Sequence, residues 1–154
     1  VPCGRATGRP RREARGDAMT TQEERETFER FRDYYLGAAA PVIRELERRV
    51  LGIDYGGNSY TTVDQAHRLW EALDLGPGSR LLDIGSGAGW PGLYLARESG
   101  CRTVLSDVPI EGLQLARARA AQEGIDAVAV ATSGVELPFA GASFDAVSHS
   151  DVLC

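Results

Sequence analysis

The sequence predicts an α/β protein: a group of helices followed by a parallel sheet covered on both faces. Three observations carry that prediction. Up to about residue 76 the apolar residues recur at helical spacing. After Ser79 they gather into short unbroken runs separated by helical stretches, the strand–helix alternation of parallel βαβ units. The runs also lack the polar alternation of a one-sided sheet, as strands buried on both faces do.

The elements follow in order. Phe28, Phe31 and Tyr35 mark a first helix, broken by Gly37 and Pro41. Val42, Leu46 and Val50 make a second apolar stripe before Gly52. Residues 56–60 read as a loop. Thr62 with Gln65 three positions on is a capping box. It opens a third helix whose Val63, Ala66, Trp70 and Leu73 share one face, and Gly76-Pro77-Gly78 stops it. Leu81 to Ile84 is a first strand, and a helix from about Pro91 to Glu98 ends at Gly100. Thr103 to Ser106 is a second strand, Ile110 to Glu123 a helix ended by Gly124, Ala127 to Ala131 a third strand and Phe144 to Ser148 a fourth. The chain thus divides into a basic extension (1–18), a helical region (19–76) and an α/β domain (77–154).

Composition narrows the function. The 154 residues are 43% hydrophobic and 25% charged, with no run of 18 apolar residues, so no transmembrane helix is expected. Cys3, Cys101 and Cys154 are widely separated and form no CxxC pair, which argues against a disulfide scaffold or a zinc site and for a cytoplasmic setting. Residues 1–18 hold five Arg against Glu13 and Asp17. Taking that +3 from the total of −5 leaves −8 for the rest, a poor surface for gripping a phosphate backbone, so no nucleic-acid partner is expected. The arm is rich in Gly, Pro and Arg and is expected to be disordered. Its deletion is expected to leave the thermal midpoint unchanged; a large drop would mean that it packs on the domain.

The most informative segment is Leu81-Leu82-Asp83-Ile84-Gly85-Ser86-Gly87-Ala88-Gly89. Glycines at alternate positions after a strand let the chain turn tightly and let a ligand lie against bare backbone. A dinucleotide fingerprint needs glycine where Trp90 stands, and a phosphate-binding Walker loop needs a Lys that this chain lacks. What remains is an acid followed by GxGxG.

With Ser106-Asp107 ending the second strand, Leu137-Pro138-Phe139, and Ser143-Phe144-Asp145-Ala146-Val147, residues 79–153 resemble the class I S-adenosylmethionine-dependent methyltransferases. The LPF…SFD stretch is similar to that of members acting on small molecules and lipids. The resemblance implies a Rossmann-like fold, S-adenosylmethionine as cofactor and a small-molecule or lipid-like acceptor. It implies that Asp83 meets the methionine amino group, that Gly85, Ser86, Gly87 and Gly89 pack beside the methionine and ribose, and that Asp107 bridges the ribose hydroxyls. Val108 would lie on the adenine, and Ser133, where the family usually has Asp, on its edge. Ser148 would neighbour the methionine, and His149 is a candidate general base. Tyr34, Tyr35 and Tyr60 could cover the ligand, although the helical spacing of Tyr35 also suits the core; His67 reads as a boundary residue. No cluster has metal-ligand spacing. The family's sheet has seven strands and four are read here, so the chain is expected to be an incomplete, nearly inactive enzyme. The competing expectation is a non-catalytic cofactor-binding or interaction module on the same fold.

Overall fold

A computed structural model of the protein describes residues 22–38, 40–55 and 59–152; the basic arm lies outside them. Three helices come first, α1 (Gln22–Ala38), α2 (Pro41–Leu51) and α3 (Val63–Leu73). The α/β part follows as β1 (Arg80–Ile84), α4 (Gly92–Ser99), β2 (Arg102–Asp107), α5 (Ile110–Glu123), β3 (Ala127–Ala131) and β4 (Ala146–His149).

All four strands are parallel, in the order β3-β2-β1-β4. The two helical crossovers build outward from β1 through β2 to β3. The chain then returns to the far side of β1, so the order reverses beside β1, the kind of switch point where open α/β sheets bind ligands. The register sets Asp83 level with Leu105 of β2 and Ser148 of β4.

The core lies between the sheet and the helices. Leu81 and Leu105 from the strands meet Leu93 and Leu95 of α4, Leu113, Ala116 and Ala120 of α5 and Ala66 of α3, all buried. The opposite sheet face departs from the expected two-sided cover. Leu82, Val104, Val128 and Val147 form one row across it, yet Val128 is 58% and Val147 52% exposed. The reason lies in the connection from β3 to β4, which among the described residues contains no helix.

Two local features refine the reading of the sequence. The stripe of Val42, Leu46 and Val50 faces solvent, with each of the three more than half exposed, and the buried side chain of α2 is Glu47. Polar contacts orient this helix instead: Arg48 pairs with Asp54 at 3.0 Å, and Arg44 donates to the Asp54 carbonyl at 3.4 Å. The fourth strand begins at Ala146, not Phe144. Asp145 exchanges hydrogen bonds with Arg80 at the start of β1, its carboxylate accepting from the Arg80 amide at 2.8 Å. That bond fixes the entry to β4 and leaves Phe144 edge-to-face on Phe139 in the preceding loop.

The start of α3 is built as its sequence requires. The Gln65 amide donates to Thr62 Oγ1 at 3.3 Å, and the Thr62 amide donates to Gln65 Oε1 at 2.8 Å. Thr62→Ala is expected to lower unfolding free energy by about 1 kcal/mol, and Thr62→Ser to restore it. Urea denaturation checks this; equal midpoints for all three proteins would show that α3 is held by packing alone.

Candidate functional site

The site forms where β1 runs into α4 through the glycine turn. The amides of Gly85 and Ser86 both donate to the Ser106 carbonyl, at 2.7 and 3.0 Å, and Gly89 donates back to Ser86 at 2.7 Å. The turn is therefore closed on itself and tied to β2. Gly87 and Gly89 have φ of 50° and 99°, a left-handed region costly for other residues. Space matters as much: a β-carbon on Gly87 would sit 2.5 Å from the hydroxyl of Tyr35, and one on Gly89 2.6 Å from Leu93.

Asp107 closes the turn from the β2 side. Its Oδ2 accepts from the Gly87 amide at 2.7 Å and its Oδ1 from the Val108 amide at 2.7 Å. Burial raises its pKa above the usual carboxylate range, while these two N–H donors pull the other way. Its own carbonyl accepts from Thr132 at 2.9 Å, which brings the loop after β3 alongside. Ser133 lies there, exposed, accepting from the Val135 amide at 3.2 Å. Val108 beside Asp107 is 42% exposed.

Asp83 is placed differently from its neighbours. Its carboxyl is 1% exposed and turned inward beneath the loop. Ser148 donates to Oδ1 at 2.6 Å. Oδ2 is sealed against the backbone of Gly92 with no hydrogen bond of acceptable geometry. Burial pushes the pKa of this group up to about 7; the Ser148 hydroxyl and the Gly92 amide offset part of that rise, and the charge of Asp107 adds to it.

The carboxyl end of β4 completes the rim. His149 is exposed, on the opposite sheet face from buried Ser148. The residues after it strap the loop before α3 across the site: Asp151 accepts from Ser59 Oγ at 2.7 Å and from the Tyr60 amide at 2.9 Å, and Ser150 bonds Thr61. Trp90 donates to the Thr61 carbonyl at 2.8 Å, and Val152 lies on Gly85. Of the aromatic candidates, Tyr35 is 7% exposed and belongs both to the core and to the loop, Tyr34 packs edge-on against it, and Tyr60 is 81% exposed. His67 lies apart on α3, bonded to Tyr94 at 3.2 Å.

Two residues at the site went unread in the sequence, Gly92 and Gly112. A β-carbon on Gly92 would overlap the Asp83 carboxyl, and one on Gly112 would sit 3.0 Å from Gly87. A glycine inside a helical pattern, which costs about 1 kcal/mol against Ala, is the signal that points to such close approach.

The donor set fits a cationic adenosyl ligand better than a diphosphate. The Gly87 amide, which a phosphate cradle would need, is held by the Asp107 carboxylate, and that negative charge would repel a phosphate. Asp107 has the oxygens to accept from two vicinal hydroxyls. Among the described residues no group of acids, His and Cys could hold a metal ion, and no helix is long and apolar enough to cross a membrane.

Comparison with known proteins agrees with this architecture. Residues 81–154 match the family model described as methyltransferase domain. Methyltransferase GfsG of Streptomyces halstedii is 37% identical over 82 residues, covering 52% of this chain and 30% of the relative. The 24-methylenesterol C-methyltransferase 2 of Oryza sativa subsp. japonica is 34% identical over 104 residues, 64% of this chain and 28% of the relative. The chain thus spans less than a third of the length of the curated relatives it matches. The solved phosphoethanolamine N-methyltransferase 2 of Haemonchus contortus superposes with a TM-score of 0.61 at 24% identity, over 79% of this chain and 29% of that one. A methyltransferase of Aquifex aeolicus superposes with a TM-score of 0.54 at 16% identity, over 77% and 55%. Residues 81–154 are therefore similar to a methyltransferase domain, and the α/β part of the chain has the Rossmann-like fold of these solved structures.

Proposed function

We propose that the protein binds S-adenosylmethionine on the Gly85–Gly89 turn and transfers its methyl group to a small-molecule or lipid-like acceptor. One observation carries this reading: a bare glycine turn whose central amide is held by the carboxylate of Asp107 at the end of the neighbouring strand. That carboxylate is placed to exchange its backbone partners for ribose hydroxyls. Val108 offers an apolar surface for the adenine and Ser133 a hydroxyl at its edge. Gly85, Ser86 and Gly89 leave room for the methionine part, beside Ser148, with Tyr35 above Gly87. Asp83 supports the turn from below.

When bound, the cofactor supplies an electrophilic methyl on a sulfonium that leaves readily. The protein's share is alignment, and holding two reactants in register can account for about 7–11 kcal/mol of a barrier. His149, exposed at the strand end, takes the acceptor's proton where the acceptor must lose one. The relative named as a sterol C-methyltransferase supports a lipid-like acceptor, and the acidic charge of the chain beyond its arm supports a non-nucleic-acid one.

Calorimetric titration with S-adenosylmethionine and, separately, NAD tests the first step, followed by methyl transfer to a panel of sterols and small hydroxylated acceptors. Binding of the first ligand alone, with transfer, is expected. Preference for NAD would overturn the reading, and binding without transfer to any acceptor would leave a cofactor-binding module.

A further inference from the structure

Asp83 sits in surroundings that suit an acid better than an anion. It is enclosed by β2, β4, the glycine turn and α4. Among the described residues its donors are the Ser148 hydroxyl on Oδ1 and, close against Oδ2, the Gly92 amide, which together offset the burial only in part. Ser106 on β2 and Gly92 on α4 carry no charge; Ser106 gives its hydroxyl to the Asp83 carbonyl at 3.1 Å, not to the carboxyl. The charged group that acts on Asp83 is Asp107, another acid. His149 follows Ser148 on β4 but is exposed on the opposite sheet face. Among the described residues no cation offsets the burial, and a buried carboxylate without one takes up a proton.

We infer that Asp83 holds a proton in the empty site and gives it up to solvent when a cationic ligand settles on the turn above it. This rests on the proposed cofactor and concerns what that cofactor's positive charge does on arrival. S-adenosylmethionine carries a sulfonium and an ammonium against one carboxylate, so it brings net positive charge to a place holding two buried acids. That charge stabilises the ionised form of Asp83, the O–H bond breaks, and the proton leaves. Affinity and proton uptake are then linked: the ligand binds more tightly as pH rises, until Asp83 is already ionised before binding. Burial sets the group's pKa at about 7 in the empty site, so the rise falls between about pH 6 and pH 8. Affinity is expected to be about tenfold weaker at the lower limit.

The test is calorimetry of the whole chain at pH 7 in two buffers of different ionisation enthalpy, which counts protons released per ligand bound. S-adenosylmethionine is expected to release a substantial fraction of a proton. Adenosine, which uses Asp107 but carries no cation, is expected to release none. Asp83→Asn is expected to bind S-adenosylmethionine without proton release and with the same affinity at pH 6 and pH 8. Should that variant not fold, Ser148→Ala serves: with its hydroxyl donor gone, Asp83 holds its proton harder and the midpoint of the pH dependence moves upward. The inference is overturned by wild-type binding without proton release, by equal release from the Asp83→Asn variant or with adenosine, or by an unmoved midpoint in the Ser148→Ala variant. Absence of binding by any adenosyl ligand would instead overturn the proposed function beneath it.

Discussion

Asp107→Ala is expected to weaken S-adenosylmethionine binding by more than a hundredfold. Both oxygens of this carboxylate are already engaged, one with the Gly87 amide and one with the Val108 amide, each at 2.7 Å. The side chain therefore has two tasks. It holds the centre of the glycine turn against the end of β2, and it presents the acceptor oxygens that two ribose hydroxyls would meet. Hydrogen bonds to a charged group are worth about 1.5–3 kcal/mol each. Losing two costs about 3 kcal/mol or more, and each 1.4 kcal/mol is tenfold in Kd. Asp107→Asn, which keeps one acceptor oxygen, is expected to fall between the two proteins. Calorimetric titration decides it, and an Asp107→Ala variant of unchanged affinity would remove this residue from the site.

The strands, the glycine turn and its acids were legible in the sequence because each is a local signal. Leu81 to Ile84 and Ala127 to Ala131 are apolar runs bounded by breakers, and the Thr62–Gln65 box needs only its own four residues to form. What was not legible shares a different cause. Val42, Leu46 and Val50 have the spacing of a buried stripe, yet Arg48, Arg44 and Asp54 orient α2 the other way. Periodicity reports that a face exists, not what it meets. The expectation of a sheet covered on both faces failed for a related reason: apolar runs suit burial, but among the described residues the connection between β3 and β4 supplies no helix to lie over Val128 and Val147.

At the site, sequence identified the residues better than the directions they face. Asp83 and Asp107 look equivalent as acids at strand ends. The register separates them, since Asp83 shares its row with Leu105 and Ser148 on the helix-covered face, whereas Asp107 ends β2 at the turn. Tyr35 has the spacing of a core residue and is buried, yet its hydroxyl reaches Gly87 because α1 lies against α5 and Gly112 lets the two approach. Such a contact joins residues far apart in sequence, and no local pattern contains it. Ser150 and Asp151, which strap the loop before α3, were invisible for the same reason.

Gly92→Ala is expected to lower unfolding free energy by about 1–2 kcal/mol, although alanine is the better helix former. In an open helix the exchange would gain about 1 kcal/mol. Here the new methyl group would overlap Asp83 Oδ2 and lie 2.8 Å from its Cγ and 2.9 Å from its Cβ. Asp83 cannot retreat, because Ser148 holds its other oxygen and the strand is hydrogen-bonded on both sides. The helix cannot retreat either, because Leu93 and Leu95 beside Gly92 are fully buried. Overpacking of this kind costs about 1–3 kcal/mol, which the helical gain of about 1 kcal/mol offsets only in part. Asp83→Ala removes Oδ2 and Cγ, the two nearest of the colliding atoms, so the double variant is expected to lose less than the two single losses together, a coupling that chemical denaturation of all four proteins measures. Additive losses would place the clash elsewhere. A Gly92→Ala protein as stable as the wild type would show that α4 can shift along the sheet, and with it the turn that Asp107 holds.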